Sequence, residues 1–112
     1  MKSRSLKKMR FLKKKYKEGR DFVYEELNDL DLTGIRLLRG KFKDFLYVYG
    51  AIGTREIEGR CQLSFTFQVL ESNQNYQNES LDSFDQNTQF VQTIGDILTH
   101  IIETEESNDT EA

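Results

Sequence analysis

The chain has 112 residues, of which 37% are hydrophobic and 31% charged, with a formal net charge of −3, one cysteine, no proline and no tryptophan. That length suits one domain. The single cysteine excludes an internal disulfide and favours a reducing compartment, and no run of about 20 apolar residues is present to cross a membrane as a helix.

The basic start is not followed by an apolar stretch of about 7–15 residues, as a secretory signal would require. A cytoplasmic protein is therefore expected. The modest net charge conceals a strong segregation. Residues 1–20 carry ten Lys or Arg and one acid, residues 21–102 carry six bases and thirteen acids, and residues 103–112 carry five acids. The three segments thus hold +9, −7 and −5, a pattern typical of an interacting arm or tail rather than of an evenly solvated surface.

In chain order, residues 1–20 read as a basic helical arm. Leu6, Met9, Leu12 and Tyr16 recur on one helical face among lysines, which predicts a helix over about 4–18. Phe22, Val23 and Leu27 allow that helix to extend to 28 after Gly19, although Phe-Val-Tyr equally suits a strand. Residues 21–104 then form a single α+β domain.

A three-stranded antiparallel meander is predicted at about 34–39, 42–52 and 55–70. From Ile57 to Val69 the odd positions are Ile57, Gly59, Cys61, Leu63, Phe65, Phe67 and Val69, and every even position is polar. Such period-two alternation marks a strand with one buried face. Gly53-Thr54 fits a two-residue hairpin turn, and Gly40-Lys41 a second. The implied register puts Ile35, Leu37, Phe42, Leu46, Val48, Ile57, Leu63 and Phe65 on the core face, with Asp44 a polar intruder among them.

Residues 72–88 are polar and read as a long exposed loop. A C-terminal amphipathic helix follows over about 87–104, where Phe90, Val91, Ile94, Ile97, Leu98, Ile101 and Ile102 fall on one face and Asp85 or Asn87 caps the start. Gly95 interrupts its apolar ridge, as at a close approach of helix to sheet. Residues 105–112 read as an acidic disordered tail.

Nothing in the sequence assembles a catalytic centre. His100 is the only histidine, placed four residues after Asp96 on the polar side of the last helix, and no third group completes a nucleophile–base–orienter set. Cys61 occupies an inward strand position, ordinary for a small apolar side chain. No Cys/His spacing suits zinc, and Asn28-Asp29-Leu30-Asp31 lacks the rest of a calcium loop. Neither an enzyme, a cofactor nor a small-molecule substrate is expected.

Two surfaces are candidates for binding. Lys7, Lys8, Arg10, Lys13, Lys14, Lys15 and Lys17 form a dense cation array that would neutralise phosphates with strongly salt-dependent affinity. The same array would suit an acidic protein surface, an anionic membrane, or the acidic tail of a second copy in a homodimer. The second candidate is the sheet face opposite the expected core, where Phe45, Tyr47 and Tyr49 would be flanked by Arg36, Lys43 and Arg60. Aromatics edged by cations on an open sheet stack unpaired bases; the alternative is that the N-terminal helix covers them. The sequence therefore points to a binding protein for nucleic acid or a nucleoprotein complex. The rival reading is a protein-interaction module: an inhibitor, adaptor or assembly chaperone, such as a bacterial or phage accessory protein.

Overall fold

The computed structural model describes residues 4–5 and 16–111. The architecture is α+β: an antiparallel sheet of four strands with a C-terminal helix. Strands β2 (Phe22–Leu27), β3 (Leu32–Leu37), β4 (Leu46–Ile57) and β5 (Arg60–Glu71) pair in chain order, and the two-residue β1 (Arg4–Ser5) adds to the free edge of β5. Helix α1 spans Thr88–Glu111.

The strand count corrects the expected three-stranded meander. Residues 22–27 form a strand, not an extension of a helix. Phe22, Tyr24 and Glu26 lie opposite Leu37, Ile35 and Thr33, so Phe22 reaches the core beside Leu37 and both are buried. An edge-to-face contact between the Phe22 and Tyr24 rings adds to the pairing. The four residues 28–31 close this hairpin, with Asp31 at φ 56, a conformation that aspartate tolerates better than most side chains. The helix expected at about 4–18 is not found where residues are described: Arg4–Ser5 is a strand, residues 16–17 are irregular, and Glu18 forms an isolated bridge to Phe22. Its remaining residues, 6–15, lie outside the described ones.

The hairpin turns also differ from expectation. β4 and β5 join through Glu58 and Gly59, both with positive φ (54° and 76°), the signature of a type I′ turn whose twist matches the flanking strands. The turn predicted at Gly53-Thr54 is instead strand, with Gly53 opposite Ser64 and Thr54 opposite Leu63. Alternation persisted across both segments in the sequence because a two-residue turn hides in a period of two. Likewise Gly40-Lys41 is not a tight turn. Residues 38–45 form a longer connection in which the Asp44 amide donates to the Leu37 carbonyl (2.8 Å) and the Leu37 amide donates to the Phe45 carbonyl (2.9 Å). Asp44, at φ 75, is thereby a loop residue, which removes the polar intruder from the strand.

These shifts change which side chains face the helix. Tyr47 pairs with Val69 and Tyr49 with Phe67, and both tyrosines lie on the core side. Leu46 and Val48, expected in the core, are buried on the opposite side and stand apart from the main cluster. The densest packing is aromatic. Phe90 of α1 meets the rings of Phe42, Phe45, Tyr47, Phe67 and Phe84 at centroid separations of 5.1–5.8 Å.

Residues 72–88 are more ordered than their polarity suggests. Short 3₁₀ turns at Gln74–Tyr76 and Leu81–Gln86 are capped by the side chains of Asn73 and Ser80. They deliver Tyr76 and the fully buried Phe84 to the aromatic cluster. The Asn87 side chain accepts from the Phe90 amide (3.0 Å) and caps α1, as expected. Gly95 is buried, in keeping with its place on the inner ridge. The helix continues past the expected end at 104 to Glu111, over residues rich in glutamate, a good helix former.

Candidate nucleic-acid interface

The aromatic sheet face does not exist as an open platform. Tyr47 is 0% exposed and Tyr49 is half-buried. The Tyr49 hydroxyl donates to the Ile94 carbonyl of α1 (2.6 Å) and lies 3.0 Å from the Tyr47 hydroxyl. Since the Tyr49 proton is committed to Ile94, Tyr47 is the donor between the two phenols. Burial pushes both phenols well above the ordinary tyrosine range, and for Tyr47 the neighbouring Tyr49 adds to the rise. Phe45 is also fully buried, edge-to-face with Phe42, Tyr76 and Phe84. Among the described residues, the C-terminal helix covers the tyrosines through the Ile94 carbonyl and the Phe90 ring; residues 6–15 of the N-terminal helix expected to cover them lie outside the described residues. None of these rings is placed to stack a base.

The cations expected beside them are dispersed. Arg36 lies on the side of the sheet away from α1 and ties the strands together. Its guanidinium binds Glu25 of β2 (2.7 and 3.0 Å), Glu71 of β5 (2.7 Å) and the Asp44 carbonyl (3.0 Å). The Glu25 hydrogen bonds and the Glu71 carboxylate raise Arg36 still further above its usual value, and Arg36 holds the Glu25 carboxyl below its own. These bonds occupy the guanidinium as an internal clamp. Lys43 is exposed in the 38–45 connection, its carbonyl accepting from Asn73 (2.8 Å). Arg60 opens β5 at the hairpin turn, opposite Ile57 and at the far end of the sheet from Arg36.

Of the basic arm, Lys17 is described and is exposed. Lys7, Lys8, Arg10, Lys13, Lys14 and Lys15 lie outside the described residues. The arm joins the body through a local charge knot. Asp21 accepts from the Lys17 amide (2.8 Å) and from Arg20 (2.8 and 3.0 Å), with Arg39 at 3.6 Å. Partial burial acts to raise the Asp21 carboxyl, but these hydrogen bonds and charges outweigh it and hold the group below the usual carboxylate range. Tyr16, just before the knot, packs against the core. Its phenol is pushed up by burial and by the charges of Asp96 and Asp21.

Searches for a matching protein family, a similar curated protein and a similar solved structure find none. His100 packs edge-to-face on Phe22, with centroids 6.1 Å apart, and Asp96 accepts from Gln92 (3.0 Å). Cys61 lies opposite Glu56 in the outer part of the hairpin. Among the described residues no group of three or more His, Cys, Asp or Glu is placed to hold a metal ion, and no helix is long and apolar enough to cross a membrane.

The outer hairpin is the surface that sequence reasoning missed. Beyond Tyr49 a bulge puts Gly50 and Ala51 opposite Thr66, whose hydroxyl accepts from the Ala51 amide (2.9 Å). A Cβ at residue 50 would lie 2.4 Å from that hydroxyl, so a side chain there would have to displace the Thr66 hydroxyl from its bond to Ala51. From Ile52 to Ile57 strand β4 pairs, among the described residues, with β5 alone. The available signal was Glu-Gly at 58–59, a positive-φ turn pair flanked by β-rich segments.

Proposed function

We propose that this chain is a binding protein that engages nucleic acid through its basic N-terminal segment. The observation that carries this reading is the charge segregation, +9 over residues 1–20 against −12 over the remaining chain. A segment of that density gains affinity by releasing the counterions condensed on phosphates, while the acidic body repels the same polymer and confines contact to the segment. The way Arg20 and Arg36 are held supports it: carboxylates of the body bind both, whereas the lysine run has few acids near it in sequence. The reading has no catalytic step and needs no cofactor. Binding to single-stranded and duplex oligonucleotides across a salt titration tests it. Affinity that falls steeply and linearly with log salt is expected, and absence of binding at low salt would overturn it.

A second reading is a protein-interaction module, favoured by the outer edge of β4, which pairs with no other strand among the described residues. In a two-residue hairpin the pair next to the turn exchanges hydrogen bonds, so Ile57, Arg55 and Gly53 bond to β5 while Ile52, Thr54 and Glu56 direct their amides and carbonyls outward. Such an edge accepts an added strand. Capture of a partner protein by the full chain that survives charge reversal of Lys13, Lys14 and Lys15, with no oligonucleotide binding, would favour this reading over the first.

A further inference from the structure

We infer that the connection between β3 and β4, residues 38–45, forms the second half of the nucleic-acid site, where Arg39, Lys41 and Lys43 take phosphates of the polymer that the basic segment binds. This rests on the nucleic-acid reading above and adds where on the folded body the polymer lies.

Three observations converge on it. The first is where the body keeps its positive charge. Beyond residue 20 the chain has six bases, and three of them fall at 39, 41 and 43, with no acid from 38 until Asp44. Of the other three, Arg36 is held by Glu25 and Glu71, and Arg55 and Arg60 lie within two residues of Glu56 and Glu58. Arg39, Lys41 and Lys43 are all exposed. Among the described residues no carboxylate pairs with Lys41 or Lys43; the Lys41 ammonium binds the neutral Gln89 side chain, and Arg39 shares Asp21 with Arg20. On an otherwise acidic body this is the stretch that attracts a polyanion.

The second is how the connection is held. Phe42 and Phe45 are buried in the aromatic cluster. The Asn73 side chain donates to the carbonyls of Lys41 (3.1 Å) and Lys43 (2.8 Å), and the Lys43 amide closes a turn onto the Gly40 carbonyl (3.2 Å). The backbone that carries the cations is therefore fixed before any ligand arrives, which lowers the entropy cost of binding. Its position matches the described end of the basic segment. The Asp21 carboxylate accepts from the Lys17 amide (2.8 Å) and lies 3.6 Å from Arg39, and the Leu38 amide donates to the Asp21 carbonyl (2.9 Å). The exposed Lys17 and the start of the connection thus meet at one residue, and a polymer held at Lys17 has Arg39 close by.

The third is what accompanies the charge. The exposed large apolar side chains of the described residues, Tyr24, Leu30, Leu32, Ile52 and Leu81, all lie outside 38–45, and the two phenylalanines within it point inward. A protein interface needs an apolar centre beside its charges, and an anionic membrane needs side chains to insert. Phosphate oxygens need the cations and their donors alone. Exposed charge without exposed apolar surface selects a phosphate backbone.

The test measures binding of the full chain to duplex and single-stranded oligonucleotides and to polyglutamate over a salt series, for the wild type, K41A/K43A, K41Q/K43Q and R55A. If both lysines contact phosphates, each lysine pair variant weakens binding and flattens the slope of log affinity against log salt by about 1.8, at roughly 0.9 per phosphate on duplex DNA. R55A removes a cation of the outer hairpin and leaves the slope within error. The glutamine pair keeps polar side chains at both positions, and urea unfolding midpoints near that of the wild type separate lost contact from lost fold. If the wild type binds oligonucleotides but both lysine variants match it in affinity and slope, or R55A flattens the slope as much per charge, the connection is not part of the site and the segment acts alone. If the wild type binds polyglutamate but no oligonucleotide, or binds neither at low salt, both readings fall.

Discussion

The two ends of the long β4–β5 ribbon are built on opposite principles. At its base Tyr47, Tyr49, Phe67 and Val69 lie under α1, within an aromatic cluster centred on Phe90. Past the bulge at Gly50-Ala51 no pairing with β3 is seen among the described residues and the β4 side chains become exposed, Ile52 to 48%, while Leu63 and Phe65 of β5 stay buried in the core. The base holds most of the buried apolar area, and hence most of the stabilisation at roughly 25 cal/mol per Å². Apart from Leu63 and Phe65, the outer ribbon keeps its shape by backbone pairing and a tight turn, and its β4 side chains from Ile52 to Glu56 are exposed. A sequence change at the base should therefore be felt as stability, and one in the outer ribbon as local order or binding.

The most direct way to break that contrast is at its centre. Phe90→Ala removes a fully buried ring with five aromatic neighbours and is expected to cost about 3–5 kcal/mol, enough to unfold much of a small domain. Urea denaturation followed by circular dichroism reads it; a loss below 1 kcal/mol would show that the cluster does not carry the fold.

Next in size is the phenol pair. Tyr49→Phe leaves the buried Tyr47 hydroxyl without its acceptor and removes the extra hydrogen bond to the Ile94 carbonyl, and a loss of about 1–3 kcal/mol is expected. Tyr47→Phe removes one hydroxyl and strands none, so it should cost less. The same pair fixes an alkaline dependence. Both phenols hold their protons more tightly folded than unfolded. Stability is thus fully present below the unfolded tyrosine value near pH 10 and is lost progressively as pH rises above it, because the unfolded chain releases protons first. The double variant to phenylalanine should show a shallower alkaline loss in a pH series of urea midpoints.

The bulge sharpens the boundary between the two ends. Gly50→Ala forces a methyl against the Thr66 hydroxyl, and a cost of about 1–3 kcal/mol is expected from that overpacking. Combining it with Thr66→Ala removes the clash along with the Ala51 hydrogen bond, so the two losses should fall short of additive. Smallest is the turn. Glu58 holds φ 54 without the usual tolerance of asparagine or glycine, so Glu58→Asn should stabilise the hairpin by about 1 kcal/mol or less. Slower amide exchange over residues 52–65, with the urea midpoint of the base nearly unchanged, is the expected result; an equal shift at both ends would mean that they unfold as one unit.

The candidate site was legible in part. Arg60 and the lysine run stand out from charge alone. Arg55 did not stand out, because the misplaced turn at Gly53-Thr54 would have put it at the head of a strand instead of mid-hairpin. Tyr47 and Tyr49 were assigned to the open side for a related reason. Leu46 and Val48 alternate with them, both sets are apolar enough to be buried, and period-two patterning cannot say which of two apolar faces a helix will cover.

What the sequence by itself determined is local. The capped apolar ridge of α1, the inward odd positions of β5, the α+β class and the segregation of charge follow from periodicities and residue chemistry that operate over a few positions. Only the tertiary structure decided the rest. The fourth strand at Phe22–Leu27 exists because β3 offers it a partner, Tyr76 and Phe84 leave a polar segment because a ring cluster accepts them, and Arg36 becomes a clamp because carboxylates from distant strands meet around it. In each case the deciding partner lies far away in sequence, and its contribution appears once the chain has closed upon itself.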